Sequence, residues 1–117
     1  MAEPLLSEID DRGVATITMY RPDVRNAFDE HQIDRLTHCL KQAADNENVR
    51  VVILQSKGKH FCAGADINYM QRMGNNTHQQ NIDDASALAE LMRVLNSLPK
   101  PTIARVQGAA FGGAIGL

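Results

Sequence analysis

The run Val49-Arg-Val-Val-Ile-Leu54 constrains the fold of this chain more than any other stretch. Nearly continuous apolar residues over a strand's length suit a strand covered on both faces, and such strands belong to largely parallel sheets. Upstream, Asp29 is an N-cap with Gln32 three residues on. Ile33, Leu36, Leu40 and Ala43 then recur at helical spacing up to Asp45-Asn46. Earlier still, Ala15, Ile17 and Met19 alternate with Thr16 and Thr18, so Val14 to Met19 reads as a strand with one buried face. Leu5 to Ile9 precedes it, joined through Asp11-Arg12-Gly13, which has the polar and glycine content of a tight hairpin connection. Arg21-Pro22-Asp23 ends the second strand because proline cannot donate to the ladder. Strand, helix, strand is the resulting order, an α/β arrangement.

The rest of the chain continues it. Thr102 to Val106 is a further strand candidate, and Leu88, Leu91, Met92, Leu95 and Leu98 form the apolar stripe of a helix stopped by Pro99 and Pro101. Asp83 and Asp84 favour the start of that helix through its macrodipole. Between Met70 and Asn81 the composition turns polar, and the segment reads as a mobile surface loop. The sequence has no internal repeat and no domain boundary. At 117 residues there is room for one small domain with a modest core. A net charge of −2 with scattered basic residues gives no reason to expect a nucleic acid partner. Two cysteines, with no leader-like segment and no long apolar run, predict a reduced cytoplasmic setting without membrane insertion.

Chemistry concentrates in His60-Phe-Cys-Ala-Gly-Ala-Asp-Ile67. Small residues Ala63-Gly64-Ala65 leave main-chain N–H groups uncovered just before Asp66, which can cap a short helix. Gly108-Ala-Ala-Phe-Gly-Gly113 repeats the arrangement, with a strand running into glycines that open an apolar, helix-like segment. Two such loops can converge on one oxygen, and paired N–H donors aimed at a developing oxyanion are a reaction device. Taken alone, Ala63-Gly64-Ala65 reads first as a plain turn before a capped helix, and it is Phe61, the downstream glycines and Arg25-Asn26-Ala27-Phe28 that reverse this.

Four stretches, in order, resemble the crotonase (enoyl-CoA hydratase/isomerase) superfamily: Arg21-Pro22 with Arg25-Asn26-Ala27-Phe28; Phe61 to Ile67; Lys100-Pro101-Thr102-Ile103-Ala104; and Gly108 to Gly113. The resemblance implies the N-terminal part of a ββα superhelical fold of the ClpP/crotonase type. Family folds are about twice this long and the apolar segment at Gly113 to Leu117 has no stop signal, so an incomplete single domain is expected. It also implies acyl-CoA thioester chemistry through an enolate, most often hydration of an enoyl-CoA by a lyase. By match to the family motif, the oxyanion donors are the N–H groups of Ala65 and Gly113. Coenzyme A, present as part of the substrate and not as a separate cofactor, would lie against Arg25, Ala27, Ala63, Ala65, Asp66 and Ile67, with Gly113 also among the substrate-binding residues. Family members assemble as trimers or paired trimers.

One position departs from the pattern. Many hydratases of the family carry a glutamate three residues after the oxyanion glycine, and here it is Gly116. Glycine cannot transfer a proton, so acid/base groups would come from beyond Leu117. The segment Lys100 to Leu117 is similar to the methylglutaconyl-CoA hydratase branch. Isomerases, decarboxylases and thioester hydrolases share the oxyanion apparatus, and a non-catalytic coenzyme A-binding or oligomerising protein is the alternative that Gly116 keeps open.

Other motifs carry less. Gly108 to Gly113 has phosphate-loop spacing, but Ala114-Ile115 stands where Lys-Ser/Thr is needed. No dinucleotide fingerprint occurs. His60 and Cys62 have no second ligand pair or partnered base, so no metal site and no nucleophilic cysteine are expected. Cys39 reads as a packed thiol, and His31, His38 and His78 as solvent-facing. Met70 and Met73 are candidates for an acyl pocket. Asp66 can be a cap or a ligand-facing carboxylate, and Arg25 a solvated arginine or a contact to coenzyme A phosphate.

Overall fold

A computed structural model describes residues 4–117. Strands β1 (Leu5–Ile9), β2 (Val14–Met19), β3 (Val51–Ser56) and β4 (Thr102–Ala104) form one sheet in the order β1-β2-β3-β4. β1 and β2 make the expected antiparallel hairpin, with Leu5 opposite Met19. The β2/β3 and β3/β4 pairs are parallel, with Ile17 opposite Leu54 and Leu54 opposite Ala104. Gly13 turns the hairpin at φ +85°, where an added Cβ would lie 2.6 Å from the Asn48 carbonyl oxygen.

Helix α1 (Glu30–Asp45) begins as the sequence predicts. The Asp29 carboxylate accepts the Gln32 N–H at 2.9 Å, and Ile33, Leu36, Leu40 and Ala43 are buried. The reciprocal half of a capping box is absent among the described residues: Gln32 Oε1 accepts from Arg35 at 3.2 Å, and its Nε2 donates to the Pro4 carbonyl at 2.9 Å. The far end of α1 is tied to the start of β4, since Lys100 Nζ donates to the carbonyls of Ala43 and Asn46 at 2.7 and 2.6 Å.

Four expectations are corrected. Residues 70 to 81 are not a mobile loop: α2 (Ile67–Met73) extends into them and α3 (His78–Asn96) starts before Asp83. Local capping outweighs the polar composition there. Thr77 Oγ1 accepts the Gln80 N–H while the Gln80 side chain accepts the Thr77 N–H, a complete capping box. The stripe of α3 is also narrower than its leucines imply. Leu91 and Val94 are buried against α1, whereas Leu88, Leu95 and Leu98 are half-buried. β3 is displaced from Val49 to Leu54 and is fully buried on one side only, through Val52 and Leu54, while Val51 and Ile53 remain half-covered. Finally, β4 stops at Ala104 and its residues are exposed. One more ladder bond runs from Arg105 N–H to Leu54 O, and then the Gln107 side chain holds the chain by donating to Ser56 and Gly58 oxygens.

Candidate functional site

The site grows from the C-terminal ends of the parallel strands. After β3, the chain descends through Phe61 and Cys62, both buried, to Gly64 at φ +93°. An added Cβ at Gly64 would stand 2.8 Å from the Phe111 carbonyl oxygen and 3.8 Å from Gly112 Cα, so the two glycine loops touch here. Cys62 N–H donates to Ala109 O at 3.2 Å and Phe111 N–H to Cys62 O at 3.1 Å, a short parallel bridge between them. Ala65 and Gly113 are each one residue beyond the contact. Neither N–H donates to a protein acceptor among the described residues. Gly113 lies at the start of the 3-10 turn Gly112–Gly116, where the first N–H groups lack partners within the turn.

Phe28 joins the two loops from below, a role its place in the sequence match did not reveal. Its N–H donates to Gly64 O at 2.9 Å, its carbonyl accepts Asp66 N–H at 2.7 Å, and its buried ring would meet a Gly113 Cβ at 2.7 Å. Asn26 is a second such residue. Buried and at φ 59°, it accepts Arg21 N–H and donates to the carbonyls of Lys57 and His60 at 2.7 and 2.9 Å. Arg21 is a third: its guanidinium pairs with Asp66 at 3.1 Å and Asp29 at 3.5 Å and donates to Ala27 O. Burial works against the Asp29 carboxylate, but the Gln32 N–H and the charges of Arg21, His31 and Arg35 outweigh it and hold its pKa below the usual value. Hydrogen bonds across more than thirty residues carry no local sequence signal.

Arg25, Ala27, Ala63, Ala65, Asp66 and Ile67 line one groove of about 520 Å³. The Asp66 side chain is buried and engaged, accepting Asn68 and Tyr69 N–H as the cap of α2 while pairing with Arg21. Of its two sequence readings, the cap accounts for its contacts. Arg25, at φ 54°, is exposed at the rim. Gly113 adjoins this groove through the Gly64–Phe111 contact but does not line it. Gly116 faces away, toward a cleft of about 340 Å³ shared with Leu54, Leu95 and Leu117. A Cβ there would meet Met92 Sδ at 2.7 Å, so α3 fills the space into which a side chain at this position would project.

The remaining candidates separate. Cys62 is buried, burial pushes its thiol pKa up, and its sulfur accepts Gly64 N–H at 3.4 Å, so it shapes the loop as a neutral thiol. Burial likewise raises the Cys39 thiol. Met70 is exposed and Met73 packs on the core near Tyr69, so the two do not share a pocket. Among the described residues no three His, Cys, Asp or Glu side chains are placed to hold a metal, and no helix is long and apolar enough to cross a membrane.

A mixed sheet whose parallel strands bring two glycine loops into contact, their Ala65 and Gly113 N–H groups unpaired among the described residues, defines an α/β protein with a glycine-loop site at the C-terminal ends of its strands. The model of the enoyl-CoA hydratase/isomerase family matches residues 10–117. A solved Legionella pneumophila protein assigned as enoyl-CoA hydratase/isomerase (crotonase) is 47% identical, with a TM-score of 0.90 over 95% of this chain and 42% of that one. A Bacillus subtilis protein assigned as an enoyl-CoA hydratase is 37% identical over 92% of this chain and 40% of its own length. The 1,2-epoxyphenylacetyl-CoA isomerase of Escherichia coli is 32% identical over 96% and 43%. The chain belongs to the enoyl-CoA hydratase/isomerase family, the crotonases, and spans about two fifths of the length of these relatives.

Proposed function

We propose that the intact protein acts on acyl-CoA thioesters through an enolate, with hydration of an enoyl-CoA as the reaction. Water oxygen would bond to Cβ, giving up a proton to a base outside these residues, while electrons of the C=C bond move through the thioester carbonyl onto its oxygen, and the enolate would then collapse as the α-carbon takes up a proton from an acid. The N–H groups of Ala65 and Gly113 would hold the oxygen during this step. In other oxyanion holes each such donor contributes about 3–4 kcal/mol. The observation that carries the reading is that these two N–H groups, on loops in contact, have no acceptor among the described residues. The groove lined by Arg25, Ala27, Ala63, Asp66 and Ile67 is the proposed seat of coenzyme A, which enters as part of the substrate. Acid/base groups would come from outside these residues, because Gly116 carries none. The family assignment supports a homotrimer or paired trimers, and the cysteine usage supports a cytoplasmic setting.

Gly116 favours one second reading, a coenzyme A-binding protein without turnover. An enoyl-CoA hydration assay on the intact protein separates the two. For the oxyanion assignment, Gly113→Pro removes the N–H and Gly113→Ala keeps it while placing a similar Cβ against Phe28. Turnover of the proline variant should fall about a hundredfold or more below that of the alanine variant. Equal rates in folded proteins would sink the assignment.

A further inference from the structure

We infer that His60 is a positioning residue for the proposed oxyanion site, its Nδ1 acceptor holding the second glycine loop against the first. The inference rests on the thioester reading of that site. Beyond the Gln107 side chain's bonds to Ser56 and Gly58 at the strand end, three hydrogen bonds join residues 60–62 to residues 109–111: Cys62 N–H to Ala109 O, Phe111 N–H to Cys62 O, and Ala109 N–H to His60 Nδ1 at 3.2 Å. The first two are main-chain bonds that any sequence could make. The third depends on one side chain.

The backbones are in close approach at this end. Gly108, at φ +61°, has no room for a Cβ because the Lys59 carbonyl oxygen occupies that space, so the Gly108-Ala109 peptide lies directly on Lys59-His60. His60 is itself anchored, its carbonyl accepting from Asn26 Nδ2 at 2.9 Å and Ser56 Oγ at 3.3 Å. The imidazole therefore reaches Ala109 from a fixed base, four residues before the Gly113 donor, and its own chain leads in five residues to the Ala65 donor.

An Nδ1 that accepts a hydrogen bond leaves the ring proton on Nε2, so the third loop bond rests on one acceptor nitrogen of one side chain.

The test compares His60→Asn, whose amide oxygen can accept where Nδ1 does, with His60→Leu, which offers no acceptor, in the intact protein. Hydrogen exchange at the Ala109 amide is read, and turnover of an enoyl-CoA is read alongside. Leucine should lower Ala109 N–H protection about tenfold or more, and asparagine should keep it. In turnover, leucine should lower kcat about tenfold with little change in KM, and asparagine should restore it. Equal Ala109 protection in the leucine variant, or loss of that protection in a folded asparagine variant, overturns the inference. If the exchange results are as expected but no variant or parent turns over thioester, the proposed function falls while the His60 bond stands.

Discussion

At the scale of single residues, the site depends on the absence of side chains more than on their presence. Gly64 is the clearest case, because it combines a left-handed φ of +93° with a neighbouring carbonyl 2.8 Å from where a Cβ would be. Gly64→Ala should lose stability by about 1–2 kcal/mol from the backbone conformation alone, and more from the contact with Phe111. Chemical denaturation measures this directly, and a change below a few tenths would mean the loops are not pressed together as described. The reason for glycine here is legible only in part from the sequence. A small residue before a helix cap is a local signal, whereas the carbonyl of Phe111 arrives from a loop nearly fifty residues away.

Among the elements, β2, α1 and the hairpin follow their patterns because each has a period and a cap of its own. The polar segment after Met70 misleads for the same reason in reverse: its composition is that of a loop, yet Thr77 and Gln80 form a local cap that starts α3 at His78. Thr77→Ala should therefore cost about 1 kcal/mol and fray the first turn. Thermal unfolding gives the stability, and amide exchange at Gln80 and Asn81 gives the fraying. A variant as stable as the parent, with those amides still protected, would remove capping as the explanation. Short elements such as β4 follow neighbours more than propensity. Its length is set by Arg105 N–H and the Gln107 side chain, both bonded to the β3 end of the sheet.

For the whole molecule, electrostatics define a pH window. Hydrogen bonding to Arg93 holds the exposed Glu90 carboxyl at about 2, against an ordinary 4.5, and the Asp29 carboxyl is also lowered. Carboxyls whose folded pKa is depressed contribute stability above their unfolded values, and that contribution is lost as pH falls through the folded ones. Urea unfolding midpoints should thus stay level above roughly pH 5 and decline toward about pH 2. Asp29→Asn should flatten part of the decline, the larger share being expected there because Asp29 is shielded while Glu90 is open to solvent screening. A midpoint unchanged down to about pH 3 would show that these pairs add nothing to the fold.

What the amino-acid sequence by itself determined is the set of periodic elements, the α/β class and the four motifs that mark the family, because periodicity, caps and glycine loops act over a few residues. Tertiary structure alone decided that Phe28 underlies both loops, that Asn26 and Arg21 pin the segment before α1 to the loop after β3, and that Met92 stands against Gly116. It also decided that only one face of β3 is fully covered, although the apolar run reads as a strand buried on both sides. These are contacts between segments more than twenty residues apart or questions of what layer covers a face, and pairing of that kind is specified by the packing of the whole sheet and not by any local pattern.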